Sequence, residues 1–447
     1  MPQVTAIFAD NSEAWVAIDD ACFHNSDVCI PLPTFFSEEQ LRWALNEAAV
    51  TRLLTDQPTL ALWQQLGFSW GGYEQSLARL ERNANPKDIP SGTVKITFTS
   101  GSTGHPKGVC LAKSSMDSVA NDIADVMQLL GIKKHLCALP LPLLLENVAG
   151  VYAAKRAGIE LVVPGLRSVG WSGSSVWDPR IFLDCVQRNR IESAIVLPQM
   201  LKAMLPNLSS FDIASLKFLA VGGAQVSPRL LAEARAKGLP VYEGYGLSEC
   251  GSVVSINRPG ADKPGTVGKL LPHVRARTSA NGELLLAGDM CYLGYLGQVQ
   301  QTNAEWLETG DLAEIDAEGF LTLRGRQKHV IVSSFGRNIS PEWVESELLA
   351  QEGILQAAVF GEAHPFLSAV LVAPSLTAAA LQSAIIHANA ALPDYARVKK
   401  WVQVNDSFSA GNGLATSNGR NKRDAIAVFY RDAISSLYRG DFLDGLQ

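Results

Sequence analysis

Residues 97–108 read Thr97-Phe98-Thr99-Ser100-Gly101-Ser102-Thr103-Gly104-His105-Pro106-Lys107-Gly108, directly after an apolar stretch that contains Val94 and Ile96. Closely spaced Gly, Ser and Thr let backbone N–H groups and hydroxyls curl around phosphate oxygens, and Lys107 adds positive charge to the same loop. The common phosphate-loop pattern needs Gly-Lys followed by Ser or Thr. Here Lys107 stands between Pro106 and Gly108, so that pattern fails. A plain Gly/Ser linker explains the composition but not the particular order of residues. The segment predicts a strand over Thr93–Thr99 that empties into an anion-holding loop.

Outward from this loop, short apolar runs alternate with helical patterns. Val4–Phe8, Val28–Pro31 and residues 50–54 read as strands. Helices start at Asn11-Ser12-Glu13 and at Ser37-Glu38-Glu39, the second carrying Leu41, Trp43, Ala44 and Leu45. Further strands are expected at 160–163, 193–197, Phe218–Val221 and 240–242. This interleaving predicts an α/β fold whose parallel sheets carry helices on their faces. Beyond about residue 265 the runs 282–286, 313–315 and 320–323 are separated by Gly, Asn and Asp turns, which predicts a small antiparallel β region. Mixed helical and strand patterns return after Arg326. The Ser-, Gly- and Asn-rich stretch 407–420 reads as a mobile loop without a packed core.

The chain has 447 residues, enough for two or three domains at roughly 150 residues each. With 47% hydrophobic and 18% charged residues it is too apolar for a disordered chain. A net charge of −6 argues against a nucleic-acid binder, which needs a basic stripe, but leaves room for one basic pocket for a small anion. The seven cysteines are scattered without a CxxC pair, and Cys and His form no tight cluster along the chain, which argues against a zinc site or a disulfide framework. No basic flank and apolar run mark a signal peptide. The most apolar run, 136–145, is about half of the roughly 20 residues needed to cross a bilayer. A cytoplasmic protein without stable membrane insertion is expected.

Residues 100–108 follow the signature loop of the adenylate-forming enzymes, [ST]-[ST]-G-[ST]-T-G-x-P-K-G, and the chain resembles that family: acyl- and aryl-CoA synthetases, peptide-synthetase adenylation domains and beetle luciferase. Further resemblances recur in the family's order along nearly the whole chain. They imply nucleotide contacts from Thr99, Ser100, Gly101, Ser102, Thr103, Gly104 and Lys107. Gly222-Gly223-Ala224 resembles the adenine-side turn, where glycine lets backbone approach a flat base. Glu243-Gly244-Tyr245-Gly246-Leu247-Ser248-Glu249 resembles the next nucleotide segment. By that match Tyr245 stacks on adenine, Ser248 contacts phosphate, and Glu249 helps hold Mg²⁺, a hard ion that takes oxygen ligands. Thr309-Gly310-Asp311 resembles the motif whose Asp accepts the ribose hydroxyls. In Arg324-Gly325-Arg326-Gln327-Lys328, Arg326 is implied as a second ribose or phosphate contact and Lys328 as the hinge. The segment 336–345 resembles the following motif, with Gly336 near the route of the pantetheine thiol and Ser340-Pro341 opening a helix. Residues 1–326 are thus expected to form the adenylation domain, and 327–447 a small mobile α+β lid domain.

Three departures from the family pattern carry information. About a hundred residues precede the glycine loop where the family usually has more, so the acyl pocket or a homodimer face is expected to differ. In Leu139-Pro140-Leu141-Pro142-Leu143-Leu144-Leu145-Glu146-Asn147, Leu143 takes the place of a gating His or aromatic residue. A side chain there that cannot donate a hydrogen bond favours a fatty or otherwise apolar carboxylic acid. In Thr416-Ser417-Asn418-Gly419-Arg420-Asn421-Lys422-Arg423, Arg420 stands where the family's catalytic Lys is expected. Arg420 keeps the positive charge. Lys422 is the alternative, since residues two apart in an extended segment face the same way.

The resemblance implies a two-step ligase that uses ATP and Mg²⁺. It forms an acyl-adenylate and pyrophosphate, then a thioester on CoA or on the phosphopantetheine of an acyl carrier protein. Catalysis rests on in-line placement and charge neutralisation. A family member that binds nucleotide or acyl ligand without turnover is the alternative, supported by Arg420 and the short N-terminal part. The acid pocket is expected around residues 197–200 and 222–226, with Pro198 and Gln199 on its wall.

Overall fold

In the computed structural model, residues 3–25, 27–85, 87–99, 106–173, 176–298, 305–416 and 419–439 are described. The β-branched and apolar runs read from the sequence build two mixed sheets. In the first, Thr93–Thr99, Val28–Pro31, Val4–Phe8 and Arg52–Thr55 lie parallel in that order. Antiparallel strands flank them, Lys107–Ala112 and Gly294–Tyr295 on one side, Leu77–Glu81 and Ser69–Glu74 on the other. In the second sheet, Glu160–Val162, Lys134–Leu136, Ser193–Val196, Phe218–Val221 and Val241–Leu247 run parallel. Ser252–Ile256 and Lys269–Leu270 add an antiparallel edge. A four-stranded antiparallel sheet follows, ordered Arg275–Thr278, Glu283–Ala287, Leu307–Ile315 and Leu321–Arg326.

Helices begin where the caps predict. Ser37 and Gln40 form a reciprocal capping box at Glu38–Glu47, each side chain bonding the other's backbone N–H. Ser340 caps Pro341–Leu349, with Pro341 in the first turn, where its missing N–H costs nothing. That helix and Ala378–Ala390 accompany a three-stranded sheet of Gln356–Phe360, Leu367–Val372 and Val398–Val404. Among the described residues, two buried apolar clusters draw only on residues up to Leu321 and two only on residues from Ile331 onward.

Two sequence expectations change. The strands expected at 240–242 and 313–315 are the ends of longer ones that run through the glycine-containing segments. Glycine belongs in the first because backbone crowds it: the Ser252 carbonyl oxygen occupies the space that a Cβ on Gly246 would need. Within the stretch 407–420, residues 407–416 are largely irregular, but they are anchored. Phe408, Leu414 and Ala415 are buried against Ala358, Val370, Val372 and Ile426. The Gln356 side chain also holds Phe408 from both sides, accepting its N–H at 2.7 Å and donating to its carbonyl at 2.9 Å. Three apolar residues among polar ones suffice to seat the loop.

Beneath the first sheet, Lys95 and Asp19 form an ion pair with both residues 1% exposed. Lys95 Nζ donates to Asp19 Oδ1 at 2.7 Å and to Tyr152 Oη at 2.9 Å, and bonds Asn147 Oδ1 as well. Tyr152 Oη and Asn147 Nδ2 each donate to Asp19 Oδ2 at 2.8 Å. Burial alone would raise the Asp19 carboxyl, but Lys95 and these bonds take it below its usual value. Removing one partner of such a pair strands a buried charge. Asp19→Ala is expected to cost about 3–5 kcal/mol of unfolding free energy, read by urea denaturation. A loss under about 1 kcal/mol would show that the site relaxes around Lys95.

Candidate active site

The ends of the second sheet's strands, the four-stranded sheet and the C-terminal segment face one cleft of about 2840 Å³. Its first polar group is centred on Asp311. Asp311 is buried; its Oδ1 pairs with Arg326 Nε at 2.6 Å and its Oδ2 accepts from Tyr245 Oη at 2.5 Å. Arg326 is placed by strand register, since Asp311 pairs Arg326 across the ladder, and its Nη1 also donates to the Thr309 carbonyl at 3.2 Å. Burial raises the Asp311 carboxyl against the pull of Arg326 and Tyr245. A carboxylate offers about four lone-pair sites, so two partners leave room for hydroxyl donors from a ligand.

A second group lies around Glu249. Its Oε1 accepts from Tyr295 Oη at 2.8 Å, and its backbone carbonyl accepts the Tyr292 N–H at 2.7 Å. Lys107 Nζ sits 5.5 Å from the centre of the Tyr295 ring. Tyr295 thus touches both the predicted metal ligand and the lysine of the glycine loop, and the sequence reading missed it, because no local pattern links Tyr295 to a carboxylate 46 residues earlier. Thr99 and Lys107 line the cleft, whereas Ser100, Gly101, Ser102, Thr103 and Gly104 lie outside the described residues.

Gly222, Gly223 and Ala224 line the same cleft, as do Glu243, Gly244, Tyr245, Gly246, Ser248 and Lys328. Gly223 holds φ +84°, a conformation open to glycine. Its carbonyl accepts Arg420 Nη2 at 3.3 Å. Arg420 reaches in from the C-terminal segment and faces open cleft space, near Arg326, Glu249 and Asp311. The burial of the cleft and Arg326 lower its pKa, while Glu249 and Asp311 raise it. Of the two cations expected at this place, the structure brings Arg420 to the cleft. Lys422 is not among the described residues that line it, and lies immediately before the helix Arg423–Phe429.

One stretch of the wall is apolar. Leu143 lines it with Leu145, Ala149, Met200, Trp171 and Trp177. Both indole N–H groups are spent on backbone carbonyls, Trp171 on Ala138 at 2.9 Å and Trp177 on Val169 at 2.8 Å, so the rings leave carbon to the cavity. Gln199 lines the cleft as expected, while Pro198 does not; it is buried in the first turn of Pro198–Met204. Nearby, folding does what the linear sequence did not foretell: the ligand atoms of His135, Cys137 and Glu146 come within 4.8 Å of one another. The His and Glu atoms are already engaged, His135 Nδ1 with Ser193 Oγ at 2.8 Å and Nε2 with Glu146 Oε1 at 3.2 Å, and Glu146 Oε2 with the Leu139 N–H at 2.9 Å. His135 and Glu146 are a hydrogen-bonded part of the core, with the buried Cys137 beside them.

Residues 2–296 match the family described as AMP-binding enzyme, and residues 328–441 match the AMP-binding enzyme C-terminal domain. The chain therefore belongs to the AMP-binding enzyme family. A long-chain-fatty-acid–CoA ligase of Mycobacterium bovis is 25% identical over 533 residues, covering 97% of this chain and 87% of that protein. A 2-succinylbenzoate–CoA ligase of Enterococcus faecalis is 29% identical over 393 residues, covering 82% and 77%. The fold is shared with o-succinylbenzoate CoA synthetase of Bacillus subtilis in complex with its acyl-adenylate (TM-score 0.74, 22% identity, 95% of this chain and 88% of that one). It is shared too with the anthranilate CoA ligase AuaEII in complex with anthranoyl-AMP (TM-score 0.77, 16% identity, 97% and 89%). Among the described residues, no helix is long and apolar enough to cross a membrane.

Glu243 provides a test of this environment. Burial pushes its carboxyl up to about 8, against a hydrogen bond from the Val226 N–H and the charge of Arg235. The folded form thus keeps a proton that the unfolded chain releases near its ordinary value of 4.5, so Glu243 lowers stability as pH rises from about 4.5 to about 8. Glu243→Gln is expected to raise the unfolding temperature near pH 8 and to leave it nearly unchanged near pH 4. Equal effects at both pH values would contradict the assignment.

Proposed function

We propose that this chain activates an apolar carboxylic acid with ATP and transfers the acyl group to CoA. The observation that carries the reading is the meeting of Asp311, Arg326, Glu249 and Arg420 in one cleft with an apolar wall at Leu143, Trp171 and Trp177. The 1–326 segment is the adenylation domain and 327–447 the lid domain of this reading. The named acids of the relatives include both fatty and aromatic types; a wall without a hydrogen-bond donor at Leu143 favours a fatty acid or another acid with no polar group beyond the carboxylate.

In the first step a carboxylate oxygen attacks the α-phosphorus of ATP, the bond to the bridging oxygen breaks, and pyrophosphate leaves with its electron pair. Asp311 accepts the ribose hydroxyls while Arg326 fixes the Asp311 rotamer. Tyr245 faces the adenine, whose edge lies along Gly222, Gly223 and Ala224; Glu243 and Gly244 back that wall. Thr99, Ser100, Gly101, Ser102, Thr103, Gly104 and Lys107 hold the phosphates together with Ser248. Glu249 suits Mg²⁺ because it presents a hard oxygen donor at the cleft, oriented by Tyr295. The ion, when bound, supplies neutralisation of phosphate charge. Arg420 places a permanent positive charge where charge develops on the α-phosphate. In the second step the acceptor sulfur attacks the acyl carbon, the thiol proton passes to solvent, and AMP leaves. Lys328 serves as the hinge about which the lid domain moves between the two steps.

ATP–pyrophosphate exchange across fatty, aryl and amino acids, without CoA, tests the first step. Exchange with apolar acids is expected. Arg420→Ala should lower kcat by about 100-fold or more, and Lys422→Ala should stay within about twofold. The reverse order of the two variants would move the cation role to Lys422. ATP binding without exchange for any acid would mark a binder without turnover. Thioester formation with a carrier protein but not with CoA would reassign the acceptor.

A further inference from the structure

Lys202 lies in the helix Pro198–Met204, whose Gln199 and Met200 line the cleft, yet its ammonium is spent elsewhere. Nζ donates to the backbone carbonyls of Leu349 and Gln351, and to that of Ile354 at 3.1 Å. An ammonium has three donors, and all three cross to the C-terminal segment. The acceptors sit at and just beyond the end of the helix Pro341–Leu349, where carbonyls lack helical partners and the helix dipole is negative. Lys202 therefore acts as a C-terminal cap supplied from another part of the chain. The same helix is held once more along its length, by Ser227 Oγ donating to Glu347 Oε1 at 3.0 Å.

From this helix one ion pair leads toward the cleft. Glu345, in the same helix, accepts the Val359 N–H at 2.8 Å and pairs with Arg423 through both oxygens, at 2.5 and 2.9 Å. Arg423 is three residues from Arg420, whose Nη2 meets the Gly223 carbonyl. Lys202, Ser227 and Gly223 thus contact one edge of the C-terminal segment, and Arg420 stands on that edge.

We propose that Lys202 is a positioning residue for acyl-adenylate formation: by capping the helix Pro341–Leu349 it sets Arg420 in the cleft. This inference rests on the proposed function. Its prediction separates the two half-reactions, because transfer from a ready-made acyl-adenylate breaks no bond at the α-phosphorus and has no use for Arg420.

The test uses the full-length enzyme and an acid that supports exchange. Lys202→Met is expected to lower kcat for ATP–pyrophosphate exchange about tenfold, with KM for ATP and acid nearly unchanged. Thioester formation from the supplied acyl-adenylate and CoA should keep its rate, which also shows that the variant is folded. Lys202→Arg, which retains the charge and several donors, should recover part of the loss. The double variant Lys202→Met/Arg420→Ala should be no slower than Arg420→Ala alone. Unchanged exchange in Lys202→Met, an equal fall in both half-reactions, or losses that multiply in the double variant would each overturn the proposal. Absence of exchange in the unaltered enzyme would instead overturn the function on which it rests.

Discussion

Lys95 spends its charge entirely inside the protein, and much of the architecture follows from where it does so. It stands in the strand that ends at Thr99, and its partners Asp19, Asn147 and Tyr152 come from two other elements. Asp19 belongs to the helix Glu13–Asn25, and Asn147 and Tyr152 to the π-helical turn Leu145–Tyr152, which also carries Leu145 and Ala149 on the cleft wall. One ion pair therefore ties the strand leading into the glycine loop to the apolar side of the cavity. A buried pair of this kind contributes little net stability over an apolar substitute, because desolvating both charges is costly. Its stronger effect is on geometry, since only one arrangement satisfies every donor and acceptor.

The cleft repeats this economy with more exposed groups. Asp311 is oriented by Arg326 across a strand ladder and by Tyr245 from another sheet, and Glu249 by Tyr295. Each carboxylate is thus held by a neighbour while facing open space. Rotamers fixed in advance lower the ordering cost of binding a ligand. Around the apolar wall the polar tips of the tryptophans are turned away to carbonyls, so the two sides of the cleft differ sharply in character over a short distance.

The sequence carried the fold class well, because periodicity and caps are local. Val4–Phe8, Val28–Pro31, Thr93–Thr99 and Phe218–Val221 appear at the limits expected, and Ser37 and Ser340 cap the helices they precede. The motif order also sufficed to recognise the family. What escaped were pairings across long stretches of chain: Lys95 with Asp19, Tyr295 with Glu249, His135 with Glu146, Lys202 with the carbonyls around Leu349. None has a local pattern, since a buried Lys is spelled like an exposed one. The stretch 407–420 misled for a related reason. Its composition is that of a loop, and the three residues that anchor it matter only once Gln356 and Ile426 are alongside.

Arg420 has a chemical consequence beyond its charge. On the proposed reading the cleft holds a mixed anhydride, which is itself an acylating agent. An amine close to such a species, whenever it loses its proton, is a competing nucleophile and a route to self-modification. A guanidinium keeps its proton at any physiological pH and is a poor nucleophile. An arginine in this place gives the phosphate its cation without adding an amine at this position, so this residue is not itself a site of self-acylation.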